Sequence, residues 1–348
     1  MGHGTTRRDG FVRGCNAPAL SIGAVEAAAE RIVGCQSDPV VRHLLLRDVL
    51  CCGDDAPALR CARVQLESSG SVRALAAEQR ADGGWGPFHS GPPSRGRRVP
   101  CTEFGIERAV ALGLDASHPI LRRAEEHVAG IVRGDLPFPD RPERNDRWAT
   151  GKRLFLAATL ARIRPDHAAV VRERRLWLDI ARATFASGTY DPDDETEAHA
   201  RRTGATIAGS YLELRHRYQF ELLASSPKGM PPALEAAFVR WLHEHPAGIG
   251  YLDVPLHRPP PAAAGPLDRW LRSHELLSRS GSSWARRAEG AVAWLWRQRN
   301  AAGLWDLGPR PGSTPAAPLS VDWRRREHRT YDWSTRVLIM VRRFLDAS

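Results

Sequence analysis

Tyr190-Asp191-Pro192-Asp193-Asp194-Glu195 sets three aspartates within four positions. Crowded carboxylates cannot all ionise, so one keeps its proton with a raised pKa. Held over an apolar pocket, that proton can be delivered to an alkene or epoxide. The carbocation that follows needs aromatic faces rather than water. The competing reading is a solvated acidic turn. A second polar group comprises Tyr211, Glu213, Arg215, His216, Arg217, Tyr218 and Gln219. Tyr211, Glu213 and Tyr218 would line a cavity if one exists, whereas His216 reads as a satisfied core or rim histidine.

These residues need a frame, and the frame is periodic. Five times a helical pattern runs into glycine and then an aromatic residue: Gly83-Gly84-Trp85, Gly134-Asp135-Leu136-Pro137-Phe138, Gly188-Thr189-Tyr190, Gly248-Ile249-Gly250-Tyr251 and Gly303-Leu304-Trp305. The aromatics follow one another at intervals of 53, 52, 61 and 54 residues. Amphipathic helices are expected before the turns, over 71–79, 119–133, 167–186, 232–245 and 283–298. Glycine at their ends suits a left-handed C-cap. Helices apolar on more than one face are expected after the turns, over 102–112, 147–163, 210–224, 267–278 and 332–345. A helix apolar all round is a buried one. Further helices over 22–33, 40–50 and 58–67 leave room for one more hairpin. Strand signals are nearly absent.

Gln79-Arg80-Ala81-Asp82-Gly83-Gly84-Trp85 resembles the glutamine-tryptophan turn of the squalene-cyclase and protein-prenyltransferase repeat. Trp294-Leu295-Trp296-Arg297-Gln298 with Gly303-Leu304-Trp305 is a second copy, and Trp241-Leu242-His243-Glu244-His245 a decayed one. The glutamine would bond helix-end groups and the aromatic would pack between hairpins, so the turns are assigned no chemistry. The resemblance covers about residues 70–345 and implies an all-α fold, an α/α toroid of about six helical hairpins around a central cavity. The expected division is a frayed tail over 1–15 and a single toroid domain over 16–348. Asp191, Asp193 and Asp194 also match the D-x-D-D pattern of protonation-initiated terpene cyclases. That likeness implies Asp193 as proton donor, with Asp191 and Asp194 in support. The motif abuts the turn aromatic Tyr190, whereas in the family it opens an inner helix. The zinc triad of protein prenyltransferases is absent at matching positions.

In a ring of hairpins the inner-helix ends face the cavity mouth. Thr102-Glu103-Phe104, Asp146-Arg147-Trp148, Leu267-Asp268-Arg269-Trp270 and Tyr331-Asp332-Trp333 stand there. The acids suit helix N-termini. Phe104, Trp148, Tyr211, Tyr218, Trp270 and Trp333 are the candidate substrate-binding residues. For the tryptophans, packing between hairpins competes with a cavity wall.

Composition narrows the classes. Hydrophobic residues are 42% and charged residues 26% of the 348, a globular balance. No apolar run is long enough to span a bilayer, and Met1 to Gly14 lacks the apolar core of a secretory signal. The formal charge is +10, and 48 of the 50 basic residues are arginines. They are scattered rather than striped, which disfavours a nucleic-acid binder. Six cysteines lie in the first third without a C-x-x-C pair, as expected of reduced cytosolic thiols. A zinc site at Cys101 with a nearby histidine is the minor alternative. No phosphate loop or nucleotide fingerprint occurs.

The expectation is therefore a class II-like terpene cyclase that needs no cofactor and no metal. It would act on an apolar isoprenoid in the cytoplasm, with peripheral membrane association as an option. One alternative is a non-catalytic toroid that binds an anionic lipid, a diphosphate or a protein partner. Another is a polysaccharide lyase or glycosidase on the same toroid. That one requires a histidine, a tyrosine and an arginine converging in an open cleft, as Tyr218 with His216 faintly suggests.

Overall fold

A computed structural model gives the fold of residues 19–89, 98–226, 229–260, 264–309 and 318–348. The expected tail, 1–15, lies outside them. Among the described residues the structure is helical and has no strand, only one isolated bridge between His216 and Gly250.

Local sequence explains where helices start. Proline, whose missing N–H costs nothing in a first turn, opens α2 (Pro39–Asp48), α3 (Pro57–Glu67), α6 (Pro119–Arg133), α9 (Pro192–Thr203) and α11 (Pro232–Glu244). Side chains cap α1 (Ile22–Gly34) through Ser21 and α4 (Gly70–Glu78) through Ser69. Two caps are histidines. His118 Nδ1 accepts from Ile120 N ahead of α6, and His167 Nδ1 accepts from Ala169 N ahead of α8 (Ala168–Thr184), each at 3.2 Å. Gly134 ends α6 in the left-handed region at φ 87°.

The remaining helices are α5 (Thr102–Ala111), α7 (Trp148–Ala161), α10 (Arg217–Leu223), α12 (Ala264–Leu277), α13 (Gly281–Arg297) and α14 (Arg326–Ala347). Sequence neighbours pack pairwise along much of the chain. α7 also packs on α5 and α10. α14 packs on α13 and on both α1 and α2, so the last helix meets the first two.

The recurrent turn does the structural work expected of it. Gln79 Nε2 donates to Gly83 O (2.8 Å) and to Ile120 O (2.9 Å), tying the end of α4 to the start of α6. Trp85 is buried, and its Nε1 donates to Leu75 O at 3.0 Å. A side chain at Gly105 would collide with the Trp85 ring, so that glycine is what lets α5 lie against it. Trp305 repeats the pattern, with Nε1 donating to Leu295 O at 2.7 Å.

Two segments differ from expectation. The helix expected over 210–224 begins only at Arg217. Ahead of it, Gly204 and Gly209 take positive φ, and Leu214 N donates to the Glu195 side chain at 2.6 Å. Local backbone bonds, Ser210 N to Ile207 O, Glu213 N to Ser210 O and His216 N to Glu213 O, shape 207–216 into turns. α9 was not expected at all; its twelve residues fall inside the 61-residue interval. Among the described residues no helix is long and apolar enough to cross a membrane.

Candidate functional site

The acidic trio stands at the start of α9, where one of its carboxylates caps the helix. Asp191 is the N-cap of α9, its Oδ1 accepting from Asp193 N (2.9 Å) and Asp194 N (3.1 Å). Asp193 is exposed, and none of the three lines a described cavity. Asp193 thus stands on the exposed first turn of α9, and its position lends the proton-donor expectation no support. The carboxyl pushed up by burial is the next one along, Glu195. It accepts from Tyr190 OH (2.6 Å) and Leu214 N (2.6 Å), so both oxygens are engaged in packing α9.

A different group converges where the loops before α5, α7, α10 and α12 meet. A cleft of about 730 Å³ is lined there by His89, Arg141, Glu143, Trp148, Phe155, Tyr211 and Tyr251, among others. The loop after Trp85 is fixed from two sides. Phe88 N and His89 N donate to the Asp140 carboxylate at 2.7 and 2.8 Å. Thr102 N and Glu103 N, at the start of α5, donate to Pro87 O and Phe88 O at 2.8 and 3.0 Å. His89 therefore stands over the first turn of α5, stacked on Phe155 at 4.6 Å with the rings 6° from parallel.

Beneath it lies Glu103, almost wholly buried. His89 Nδ1 is 2.7 Å from Glu103 Oε2, and the Tyr218 hydroxyl donates to the same oxygen at 2.9 Å. Arg217 pairs with the other oxygen. Burial alone would raise this carboxyl, but Arg217, His89 and Arg162 together hold it below the usual carboxylate range. An ionised Glu103 can only accept, so Nδ1–H donates to it; in the neutral ring Nε2 then holds the lone pair. Among the described residues Nε2 has no hydrogen-bond partner, and His89 borders the cleft. Burial and then the neighbouring Glu103 push the Tyr218 hydroxyl far up, against Arg217. It stays protonated and acts as a fixed donor.

Tyr251 faces the dyad, its ring centroid 6.5 Å from that of His89. It is 45% exposed and has φ 71°, a conformation that costs a bulky residue energy. Burial and Glu103 push its hydroxyl to about 12. Tyr251 is a turn aromatic, so one of the five turns carries a cleft residue rather than packing alone. Across the cleft Tyr211 OH donates to Glu143 Oε2 at 2.9 Å. The Tyr211 ring lies across Gly151 of α7, where any larger residue would clash.

Of the expected substrate-binding residues, Trp148 and Tyr211 line this cleft, and Tyr218 is buried behind it against Glu103 and His89. Phe104 lines a separate pit described below. Trp270 and Trp333 are fully buried, with Nε1 donating to Leu256 O (3.3 Å) and Gly308 O (2.9 Å), so they serve packing. His216 is the N-cap residue of α10 and meets Tyr251 at 5.0 Å without entering the dyad. Of the acids near inner-helix starts, Asp332 binds Leu319 N and Ser320 N, and Asp268 pairs with Arg336. Only Glu103 reaches the cleft histidine. Sequence reasoning missed His89; its signal was its place directly after the Gly-Gly-Trp turn, in a loop leading to the cavity mouth.

Among the described residues no three His, Cys, Asp or Glu side chains are placed to hold a metal. Cys101 is buried at the start of α5, and burial pushes its thiol to about 11. Compared with family models, with curated proteins and with solved structures, the chain matches none.

Proposed function

We propose that the hairpins close into an α/α toroid and that the cleft is the active site of a polysaccharide lyase-type enzyme acting on a uronate-containing glycan. The contact of α14 with α1 and α2 and the glutamine-tryptophan turns at near-constant period support the ring. The observation that carries the chemistry is the carboxylate-bound imidazole of His89, its Nε2 unpartnered at the cleft and Tyr251 across from it.

The step is a β-elimination. His89 Nε2 removes the proton α to the substrate carboxylate, and those electrons form the C=C bond. The β C–O bond breaks, and the Tyr251 hydroxyl protonates the leaving oxygen. The proton on His89 and the one lost by Tyr251 are then exchanged through solvent. Glu103 stabilises the imidazolium that forms, as a buried carboxylate does for a histidine base. Arg141, lining the cleft, offers a cation to the uronate carboxylate. Trp148 and Tyr211 offer flat apolar faces to sugar rings. A glycosidase would need two carboxyl groups free to flank a glycosidic bond. Asp140 is bound to two backbone N–H groups and Glu143 to Tyr211 and Asn145, so the elimination is the better fit. The isoprenoid-cyclase reading draws no support from the position of Asp193.

The test is incubation of the protein with a panel of uronate polysaccharides, reading the ultraviolet absorbance of newly unsaturated ends. Tyr251→Phe should lower the rate about 100-fold or more without loss of fold. New non-reducing ends that are all saturated would contradict elimination.

A further inference from the structure

A second cavity lies toward the C-terminal ends of α2, α5 and α12, bounded by α14. Its volume is about 250 Å³. Leu44, Phe104, Leu276, Ile339 and Met340 form an apolar side, and seven arginines line it against only three acids, Asp48, Glu107 and Glu275. A buried ion-pair layer separates it from the cleft. Arg217 pairs with Glu103 on the cleft side and reaches Glu107 at 3.4 Å on the pit side.

Most of the arginines there are committed. Arg47 pairs with Asp48 at 2.6 Å. Arg162 binds Glu221 at 2.6 Å and Glu107 at 3.0 Å. Arg272 pairs with Glu107, and Arg336 binds Asp268 and Glu275 at 2.5 and 2.6 Å. Two are not. Among the described residues neither Arg279 nor Arg343 has an acid within 4 Å, and Arg343 donates only to Ser278 Oγ, at 3.1 Å. Both side chains are solvent-accessible and border the pit. Arg279 also stands within electrostatic reach of Arg162, Arg272 and Arg343, whose like charges oppose it. Glu221 acts the other way, but its carboxylate is already bonded to Arg162. Like charges gathered at one pit repel one another, and an anion bound there relieves that repulsion.

We infer that this pit is a binding site for a phosphate-type oxyanion, held by Arg279 and Arg343 against the apolar wall of α14 and α12. Guanidinium groups match the oxygens of phosphate in pairs. The volume equals that of roughly eight liquid waters, room for a phosphate and a small substituent on it. Charge balance favours a dianion, since two cations lack partners.

The test is titration calorimetry and thermal unfolding with inorganic phosphate, at constant ionic strength against chloride. Wild type should show saturable binding and a raised melting temperature. Arg279→Ala and Arg343→Ala should each weaken binding about tenfold or more. Without phosphate both variants should melt at or above wild type, because repulsion is relieved; Arg279→Gln gives the same reading if the alanine variant folds poorly. A phosphate response equal to that of chloride, or unchanged in Arg279→Ala, overturns the site. Two further arms identify the source. Tighter binding of glycerol 3-phosphate than of phosphate marks a soluble phosphoester. Arg279-dependent sedimentation with phosphatidic acid vesicles, absent with phosphatidylcholine alone, marks a lipid headgroup.

Discussion

Glu103 and His89 form a carboxylate–imidazole pair, with Oε2 2.7 Å from Nδ1. The first turn of α5 supplies the acid and the loop behind Trp85 supplies the base. Because Glu103 also neutralises Arg217 and accepts from Tyr218, it is a structural as well as a positioning residue. Glu103→Gln should cost about 3 kcal/mol of stability in urea unfolding, since Arg217 is left short of counter-charge in the interior. It should also slow turnover, with kcat falling and KM little altered, because Glu103 no longer accepts as an anion from His89. A variant with wild-type stability and rate would remove the pair from the account.

The turn makes a separate prediction. Trp85→Ala should destabilise the fold by about 3–5 kcal/mol, as expected for a fully buried aromatic. Gln79→Ala should cost about 1–2 kcal/mol, since Gly83 O and Ile120 O each lose a bond. Denaturant midpoints measure both. Equal and negligible effects would mean that the hairpins are joined by other contacts.

The acidic trio separates two roles. Asp191→Ala should lower stability by about 1 kcal/mol through loss of the α9 cap. Asp193→Asn should stay within about 0.5 kcal/mol of wild type and leave turnover unchanged. A large loss of activity in Asp193→Asn would restore the proton-donor role that its exposure argues against.

Much of the helical frame was legible because its signals are local. Pro119 and Gly134 bracket α6 at the positions expected from sequence, and the Gly-Trp turns at Trp85 and Trp305 mark the ends of helices four residues or more before them. Tyr211, Tyr218 and Trp148 were singled out as candidates and do line the cleft or stand behind it. The site itself was not legible, because its bonds are long-range. Tyr218 and His89 are 129 positions apart, and Tyr218 and Glu103 are 115 apart. Nothing in the spacing of either residue announces the other. Asp193 shows the opposite case: a compact motif that suggests chemistry also fits a helix start, with Pro192 in the first turn and Asp191 as its cap.

Two buried histidines weaken the fold as pH falls. Burial lowers His274 to about 3 and His199 to about 4. His274 Nδ1 accepts from Trp284 Nε1 at 3.2 Å, a bond only the neutral ring can make. In the unfolded chain both titrate near 6.5. The folded pKa values lie below the unfolded ones, so the unfolded state binds more protons as pH falls. The stability both contribute is complete above about pH 6.5 and declines toward pH 4 and then 3. His274→Gln should flatten that decline in pH-dependent urea unfolding. A slope identical to wild type would show that His274 does not carry it.

The most direct measurement of the proposed chemistry is the rate of unsaturated-product formation by His89→Ala on whichever uronate glycan the wild-type protein cleaves, with circular dichroism recorded on the same sample. The account predicts a loss of about 100-fold to 10,000-fold, typical for removal of a general base, with the helical spectrum intact. Wild-type turnover in His89→Ala, or no unsaturated product from the wild-type protein on any uronate glycan, would contradict it.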